Sequence, residues 1–326
     1  MKRILVTGGC GFLGAAYVRS CLEQRDDVDV TNFDLLTYAA QPDRLADFAT
    51  DPRYRFFKGD VSNIDDVRRL FTRVAPFELI LHFAAETHVD RSLKDPLLFV
   101  RTNVQGTQIM LDAFRRQGRG KFIQISTDEV YGPVPEKVFL REDAPLKPRN
   151  PYAATKSSAD HLALAAERSF GLDLCIVRSV NVYGPAQYPE KFIPLAVTTL
   201  LAGGRIPLYG DGQQVRDWLY VDDYVRGLQQ IENEGRPGEI YHLAAQDERT
   251  NRSVAESICA LCDIAVTDGI ESVDDRPGHD RRYGLDAAKI RNLGWKPETD
   301  FGKGLRETVA YFKSNRRPPA PADRSL

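Results

Sequence analysis

Short apolar runs alternate with amphipathic stretches along roughly the first 180 residues of the chain. The runs are rich in aliphatic and β-branched residues, which favours strands, and the stretches between them have the apolar spacing of helices. Strands that are almost continuously apolar are typical of a parallel sheet covered by helices on both faces. We therefore predict an α/β fold with a doubly wound parallel sheet. Its strands are predicted at residues 3–6, 28–33, 55–60, 78–85, 121–125 and 174–181.

A glycine-rich turn joins the first predicted strand to the first helix, over residues 7–14. It is the dinucleotide-binding pattern with one extra residue between its first two glycines. Gly8 permits the tight bend, Gly11 lets the backbone approach a pyrophosphate, and Gly14 lets the helix pack on the strand. The helix N-terminus also favours phosphate charge. The sheet is therefore predicted to be of the Rossmann type.

Asp34 follows Gly14 by twenty residues, at the end of the second predicted strand. An acid at this position can accept hydrogen bonds from an adenosine ribose and would repel a 2′-phosphate. The chain is therefore predicted to bind NAD rather than NADP. The alternative is a glycine turn followed by a solvated aspartate.

Beyond residue 181 the regular alternation ends. A helix is predicted near residues 193–201, and segments rich in glycine, proline and charge follow at 209–218 and 274–283. We interpret this part as a smaller mixed α/β C-terminal domain whose loops face the cofactor cleft and bind substrate. The predicted division is an NAD-binding domain over 1–180 with a return near 220–250, a mainly substrate-binding domain over 181–314, and a disordered tail over 315–326.

Two adjacent acids, Asp128 and Glu129, are predicted just past the carboxyl end of the fifth strand, after Ser126 and Thr127. Ligands bind at this edge of an open parallel sheet. Paired acids there are costly unless they are solvated, paired or held for proton transfer. Taken alone, the segment favours a capped loop with a solvated acid pair. Its predicted place beside a nicotinamide favours proton transfer.

A helix start is predicted at Asn150-Pro151, with asparagine as the cap and proline in the first turn. Tyr152 and Lys156 then lie one turn apart on the same face. An ammonium beside the phenol would lower the tyrosine pKa, so that Tyr152 could take a proton from a substrate hydroxyl near neutral pH.

Composition limits the partners and the compartment. The net charge of -2 gives no basic field for nucleic acid, no apolar run is long enough to cross a membrane, and a strand so close to Met1 leaves no room for a signal peptide. Five scattered cysteines suit reduced thiols, which indicates a cytoplasmic protein. Cys259 and Cys262 lie on a helix predicted to start with the capping box at Ser253, and we interpret them as packing residues, so no metal site is predicted.

Taken together, these motifs resemble those of the extended short-chain dehydrogenase/reductase family, and within it the sugar-nucleotide 4,6-dehydratases that act on dTDP-glucose. The resemblance covers roughly residues 1–312, and the Thr-Asp-Glu triplet at 127–129 is the feature that separates this subgroup from its epimerase and GDP-mannose relatives. The matching segments are residues 7–14, 36–39, 84–92, 126–132, 152–156, 188–191, 216–221 and 276–282.

The resemblance implies a reaction without net redox. Tyr152, assisted by Lys156 and Thr127, would take the proton of the C4 hydroxyl while the C4 hydride passes to NAD+. Glu129 would then remove the C5 proton as base, and Asp128 would protonate the departing C6 hydroxyl as acid. Return of the hydride to C6 gives the 4-keto-6-deoxy sugar nucleotide. The implied partners are a nucleotide sugar, with dTDP-glucose expected, and a second copy of the chain in a homodimer.

The resemblance also assigns binding residues. For NAD they are Gly8, Gly11, Phe12, Leu13, Gly14, Asp34, Leu36, Thr37, Asp60, Val61, Ala84, Ala85, Tyr152, Lys156 and Asn181, with Asp60 at the adenine. For the substrate they are Glu86, His88, Asn181, Lys191, Pro207, Tyr209, Arg216, Asn251, Arg276 and His279, mostly around the diphosphate.

The chain departs from the subgroup at two places. Val182 follows Asn181 where two asparagines are usual, and Ala40-Gln41 replaces the usual Gly-Asn. Neither alters the catalytic set, but the first touches the substrate side, so a dehydratase for another nucleotide hexose stays open. A 4-epimerase or a uronic acid decarboxylase on the same scaffold is the other alternative.

Overall fold

A computed structural model of the chain describes residues 1–275 and 279–315. Arg276 and residues 316–326, which hold most of the predicted tail, lie outside the described residues. The strands in the described part are β1 (Lys2–Thr7), β2 (Val28–Asp34), β3 (Tyr54–Lys58), β4 (Leu79–His82), β5 (Lys121–Thr127), β6 (Leu174–Ser179), β7 (Asn181–Tyr183), β8 (Ile206–Tyr209), β9 (Val215–Tyr220), β10 (Ile240–Leu243), β11 (Glu248–Thr250) and β12 (Ile270–Val273).

The largest sheet has seven strands in the order β10-β6-β5-β4-β1-β2-β3, and all its pairings are parallel. The chain winds outward from β1 to β3 and then crosses to β4 on the other side. The strand order therefore reverses between β1 and β4, which is where an open sheet of this kind binds its ligand. The Rossmann-type α/β fold is confirmed.

Helices cover the sheet and the smaller lobe. They are α1 (Phe12–Gln24), α2 (Ile64–Val74), α3 (Val89–Lys94), α4 (Pro96–Phe99), α5 (Gly106–Gln117), α6 (Pro151–Phe170), α7 (Phe192–Leu201), α8 (Val221–Glu234), α9 (Asn251–Leu261), α10 (Val266–Gly269), α11 (Ala288–Arg291) and α12 (Phe301–Ser314). In the described residues, no helix combines the length and apolar character that a membrane crossing requires.

Alternate residues of the central strands supply two apolar cores, one on each face of the sheet. Ile4 and Val6 belong to the core that includes α1 and α8, whereas Leu5 belongs to the core that includes α2 and α5. Each of the three side chains has no solvent exposure. Burial on both faces explains the continuous apolar runs in the sequence, because successive side chains of a strand point to opposite faces.

Several predicted boundaries were wrong. β4 ends at His82, so Ala84 and Ala85, predicted at the end of the strand, follow it, and α3 begins at Val89. The helical stretch that follows is interrupted at Asp95, which caps α4, and a π-helical segment over Val100–Gln105 precedes α5. Pro96 explains the interruption, because proline has no backbone N–H to donate and so cannot lie in the interior of a helix.

The smaller lobe also differs from prediction. Residues 181–183 leave the β6 direction and form β7 in a three-stranded sheet, β11-β9-β7, while β12 and β8 pair separately. Residues 215–218 of the predicted loop at 209–218 belong to strand β9. The helix carrying Cys259 is capped by Thr250, whose hydroxyl accepts from the Ser253 N–H, so it begins earlier than the capping box predicted. Cys259 is buried in the apolar core, as predicted.

Candidate active site

A cavity of about 530 Å³ opens at the point where the strand order reverses. It is lined by the glycine turn after β1, the ends of β2, β4 and β5, the start of α6 and the segment before α7. The carboxyl ends of neighbouring parallel strands thus meet there, as expected for this fold.

The glycine turn fits a dinucleotide phosphate. Gly8 has φ +70°, and a Cβ placed on it would lie 2.8 Å from the Ala84 backbone nitrogen. A Cβ on Gly14 would lie 2.4 Å from the Gly8 carbonyl oxygen, so α1 can pack against the turn only without a side chain there. Gly11 lines the cavity immediately before α1. Both the close approach and the helix N-terminus are what a pyrophosphate site requires.

Asp34 is held at the end of β2 by two backbone donors. Its Oδ2 accepts from the Cys10 N–H at 2.9 Å and its Oδ1 from the Leu36 N–H at 2.7 Å. Burial, only partly offset by those donors, raises the carboxyl pKa. Each carboxylate oxygen can accept a further bond. The residue therefore fits the role of receiving ribose hydroxyls. Leu36 itself does not line the cavity, and acts here through its backbone.

The Thr-Asp-Glu triplet at 127–129 lies at the junction of β5 and a 3₁₀ turn. Contrary to prediction, Thr127 belongs to the strand, and the turn Asp128–Tyr131 begins directly after it. Thr127 caps this turn: its hydroxyl oxygen accepts from the Glu129 N–H at 3.3 Å, and the hydroxyl donates to Asp128 Oδ1 at 3.1 Å. The cap fixes the backbone of both acids at the cavity wall.

Asp128 and Glu129 face different surroundings. Asp128 is 3% exposed, its Oδ2 has no hydrogen-bond partner in the described residues, and burial with the adjacent Glu129 charge raises its pKa to about 8. Glu129 is only half-buried, and its Oε2 accepts from the Asn150 amide at 3.1 Å. The Tyr283 hydroxyl lies 3.5 Å from the same oxygen and 3.0 Å from Asp280 Oδ2. Burial therefore disfavours charge on Asp128.

The α6 start brings the predicted tyrosine and lysine to the triplet. Asn150 caps the helix, Pro151 occupies the first turn, and Tyr152 and Lys156 follow on the cavity side, all as predicted. Tyr152 also shares a hydrogen bond with the Thr127 hydroxyl. The phenol, the ammonium and both acids therefore line one cavity with the glycine turn.

The prediction that Lys156 lowers the pKa of the Tyr152 phenol is wrong for the protein without bound ligands. Burial raises the Tyr152 pKa well above its ordinary value, Glu129 adds to the rise, and the bond with Thr127 only partly offsets it. Lys156 donates its ammonium to the Ile125 carbonyl, and burial lowers its pKa to about 8. The burial of the phenol outweighs the effect of a cation one helical turn away, so spacing alone misjudged the balance.

A buried ionic pair lies behind Lys156. Asp160 accepts from the Ser126 hydroxyl and from Arg178 Nε, both at 2.9 Å, and it opposes the burial effect on Lys156. Arg178 also donates to the Tyr131 hydroxyl. Asp160 and Arg178 are 0% and 2% exposed, so each depends on the other for charge compensation.

Among the predicted substrate-binding residues, Glu86, Asn181 and Lys191 line the cavity. The cavity lining does not include His88, Pro207, Tyr209, Arg216, Asn251 or His279. Of the predicted NAD-binding residues, the glycines with Phe12 and Leu13, together with Asp34, Thr37, Asp60, Val61, Ala84, Ala85, Tyr152, Lys156 and Asn181, all line it.

Arg216 lies close to the acid pair although it is outside the cavity lining. Its guanidinium donates to the Asp280 carbonyl at 3.0 Å and lies 4.5 Å from the centre of the Tyr283 ring, and its charge partly offsets the raised pKa of Asp128. Tyr209 and His279 have their rings 6.0 Å apart on the same side of the smaller lobe. Arg216 thus lies next to the triplet from the smaller lobe.

Three functional contacts were not predicted from the sequence. Tyr283 reaches Glu129 from a loop far along the chain, and Trp218 lines the cavity from β9. Asn150 was recognised as a helix cap but not as a partner of Glu129. Only Asn150 carried any local signal, because a cap residue two positions before the catalytic tyrosine must lie near the site.

Comparisons with known proteins agree on one family. The model of the GDP-mannose 4,6 dehydratase family matches residues 5–308. The dTDP-glucose 4,6-dehydratase of Streptomyces griseus is 47% identical, over 98% of this chain and 97% of that protein. The dTDP-glucose 4,6-dehydratase 1 of Escherichia coli (strain K12) is 42% identical, over 96% and 93%.

Solved structures show the same similarity. The dTDP-glucose 4,6-dehydratase DesIV from Streptomyces venezuelae, crystallised with NAD, superposes with a TM-score of 0.92 at 44% identity, covering 96% of this chain and 98% of that one. A UDP-glucose 4-epimerase from Thermus thermophilus superposes with a TM-score of 0.88 at 30% identity, covering 95% and 99%. The scaffold is thus shared with epimerases, whereas the sequence is closer to these dehydratases.

Proposed function

This chain belongs to the family of the dTDP-glucose 4,6-dehydratases, and on that premise we propose how its residues carry out the reaction. The protein is an NAD-dependent hydro-lyase that converts dTDP-glucose to dTDP-4-keto-6-deoxyglucose. One observation carries the assignment of roles: Asp128, Glu129, Tyr152 and Lys156 line the same cavity as the glycine turn.

The residues that hold NAD are those of the turn and the strand ends. Gly8, Gly11 and Gly14 leave room for the pyrophosphate, Asp34 receives the ribose, and Asp60 with Val61 flanks the adenine end. Bound NAD would supply the acceptor and later the donor of the hydride, and the positive charge of its oxidised ring would favour a phenolate nearby.

Tyr152 is the group that takes the C4 hydroxyl proton. Its phenol pKa is raised in the protein alone, so the proton leaves Tyr152 only when charge in the complete site favours it. The Thr127 hydroxyl bonds the phenol and orients it, and the Lys156 ammonium contributes positive charge from the next helical turn. Thr127 and Lys156 thereby assist the same proton transfer.

Glu129 and Asp128 divide the elimination between them. The C4 ketone acidifies the C5 proton, which Glu129 takes, since its carboxylate is the one supported by donors. Asp128 gives its proton to the C6 hydroxyl, which leaves as water. Burial raises the pKa of Asp128 to about 8, so the acid holds its proton at neutral pH. Glu129 then gives its proton to C5 as the hydride is returned to C6, and the proton that Tyr152 took reaches Asp128 through solvent, so that each group regains its starting state.

The nucleotide diphosphate is assigned to the smaller lobe. Asn181, Lys191, Tyr209, Arg216, Asn251 and His279, with Arg276 outside the described residues, are proposed to hold it. Arg216 supports this assignment, because a buried guanidinium beside the acid pair supplies the cation that a diphosphate requires. Residues 1–180, with the return near 220–250, would then hold NAD, and residues 181–314 mainly the nucleotide sugar.

A homodimer is proposed through the helices that follow Asp95 and Tyr152. The exposure of Leu97 (73%) and Val100 (46%) supports it, because apolar side chains of this size are normally covered. Light scattering tests the dimer: a mass of one chain would reject it. A cytoplasmic location is proposed on the five free cysteines, which suit a reducing compartment.

Incubation of the purified protein with dTDP-glucose tests the reaction. We expect the alkaline absorbance of a 4-keto-6-deoxy sugar to develop, with the product's methyl group visible by NMR. UDP-glucose and GDP-mannose as parallel substrates test the base preference. Formation of dTDP-galactose, or no product, would reject the proposed function.

A further inference from the structure

Asn150 makes two side-chain contacts that face opposite ways. Its Oδ1 accepts from the Ala153 N–H at 2.8 Å, which caps α6, and its Nδ2 donates to Glu129 Oε2 at 3.1 Å. The residue is buried and lies two positions before Tyr152. One carboxamide thus connects the helix that carries the phenol with the turn that carries the acid pair.

The orientation of this amide follows from its partners. A backbone N–H can only donate, so the atom facing Ala153 must be the amide oxygen, and the NH₂ group must face Glu129. The NH₂ group can only donate, so Oε2 of Glu129 is the acceptor of this bond. The Tyr283 hydroxyl lies 3.5 Å from the same oxygen, but its single proton is closer to Asp280 Oδ2, at 3.0 Å, so Asn150 is the donor that holds Oε2 and leaves Oε1 unengaged by this bond. Oε1 is therefore the oxygen available to a substrate.

Charged and polar groups surround Glu129, and they determine which way its carboxylate turns. Asp128 lies beside it on the same turn, and the Tyr152 and Tyr283 hydroxyls face it from α6 and from the loop after residue 279. Beyond Tyr283 lie the Arg216 guanidinium and the Asp280 carboxylate. Without the Asn150 donor, the carboxylate would be free to turn towards the Tyr283 hydroxyl, which lies 3.5 Å from Oε2.

We propose that Asn150 is a positioning residue for the elimination step. It holds Oε2 of Glu129, so that Oε1 faces the C5 proton of the sugar while Tyr152 faces the C4 hydroxyl. This inference rests on the proposed dehydratase function. It assigns a second role to a helix cap. The substrate's C4 hydroxyl and C5 proton are adjacent on the sugar, so a shared anchor for phenol and base fixes the spacing that both steps need.

Two substitutions separate this role from capping. Asn150→Ser keeps a cap acceptor of equal quality but removes the amide donor. We expect stopped-flow absorbance to show normal formation of reduced nicotinamide on mixing with dTDP-glucose, followed by elimination slower by about 10- to 100-fold. Asn150→Asp also keeps the cap but places a second anion at Oε2. The acid limb of its rate profile should move to higher pH, since the ionised carboxylate of Glu129 becomes harder to form.

Asn63→Ser is the matched control, because the Asn63 carboxamide oxygen also caps a helix, α2, and Asn63 does not line the cavity, although its neighbour Ser62 does. It should change the melting temperature about as much as Asn150→Ser and leave elimination unchanged. The inference would be overturned if both Asn150 variants eliminated water at the wild-type rate and the acid limb of their pH–rate profiles did not move. It would also be overturned if formation of reduced nicotinamide and elimination were slowed equally. Absence of 4-keto-6-deoxy product from the wild-type protein would instead reject the proposed function, and this inference with it.

Discussion

Asp128 Oδ2 has no hydrogen-bond partner in the described residues, whereas Oε2 of the adjacent Glu129 accepts from the Asn150 amide at 3.1 Å. Two carboxyl groups that are neighbours in the chain thus lie in different surroundings. Burial, together with the adjacent Glu129 charge, raises the pKa of Asp128 to about 8, whereas Glu129 is half-buried and held by a donor. Surroundings that differ in this way suit one carboxyl group to act as an acid and its neighbour to act as a base.

The raised pKa of Asp128 should appear as a pH dependence of stability. Between its ordinary value of 3.8 and the folded value of about 8, the folded protein holds a proton that the unfolded chain has released. Stability is therefore lost as pH rises through that window. The Asp128→Asn variant lacks this group, so its free energy of unfolding should fall less between about pH 5 and 8.

Urea unfolding of both proteins at each pH measures the difference. Asp217, whose pKa is raised to about 6, is present in both proteins, so a difference between their curves reports the removal of Asp128 and of its interaction with Asp217. Parallel curves for wild type and Asp128→Asn would contradict the raised pKa.

Glu129→Gln should stop the reaction after the first step. The amide keeps the size of the side chain but cannot take the C5 proton, so general base catalysis worth about 10²- to 10⁴-fold is lost. Tyr152 and Lys156 are untouched, so reduced nicotinamide should form on mixing and persist. Stopped-flow absorbance follows it. Normal turnover with no accumulation would remove Glu129 from the base role.

Removal of the charge on Asp160 should destabilise the fold. Asp160→Asn leaves the Arg178 guanidinium buried without its carboxylate, which costs about 3–5 kcal/mol in comparable cases. Glu23→Gln is the control, because the pair of Arg19 with Glu23 is solvent-exposed and contributes about 0–1 kcal/mol. Urea unfolding compares the two variants. Equal stabilities would show that the buried pair contributes no more than a surface pair.

A clasp of three residues joins the two sides of the cavity. The Tyr38 hydroxyl donates to Glu190 Oε1 at 3.1 Å. The Arg91 guanidinium carbon lies 3.6 Å from the centre of the Tyr38 ring, and Arg91 Nε lies 3.4 Å from Glu190 Oε2. Glu190 lines the cavity. Tyr38→Phe removes only the hydrogen bond from the Tyr38 hydroxyl to the Glu190 carboxylate. Because this bond joins the two sides of the cavity, NAD should dissociate about 10-fold faster from the variant.

The rate at which bound NAD exchanges with labelled NAD measures this effect. Tyr54→Phe is a suitable control, because the Tyr54 hydroxyl accepts from Asn32 and does not line the cavity. Equal exchange rates in the two variants would show that the clasp does not retain the cofactor.

Local patterns were sufficient where the chemistry depends on neighbours in sequence. The glycine turn, Asp34 and the one-turn spacing of Tyr152 and Lys156 were all predicted, because backbone sterics and helix geometry fix them. The contact of Tyr283 with Glu129 could not be predicted, since it spans 154 residues and depends on how the smaller lobe packs.

The ionisation of Tyr152 was misjudged for a related reason. Spacing identified the helpful cation, Lys156, but the burial of the phenol and the nearby Glu129 charge are tertiary effects, and they dominate. The outline of the site thus follows from the sequence, whereas the electrostatic balance within it requires the folded structure.

The position of the C4 hydrogen in the product tests the central claim most directly. dTDP-glucose carrying deuterium at C4 is incubated with the enzyme in ordinary water, and the product is examined by NMR. Because the hydride taken from C4 is returned to C6, we predict deuterium in the C6 methyl group of a 4-keto-6-deoxy sugar. Deuterium retained at C4 of a hexose, as an epimerase would leave it, would contradict the account.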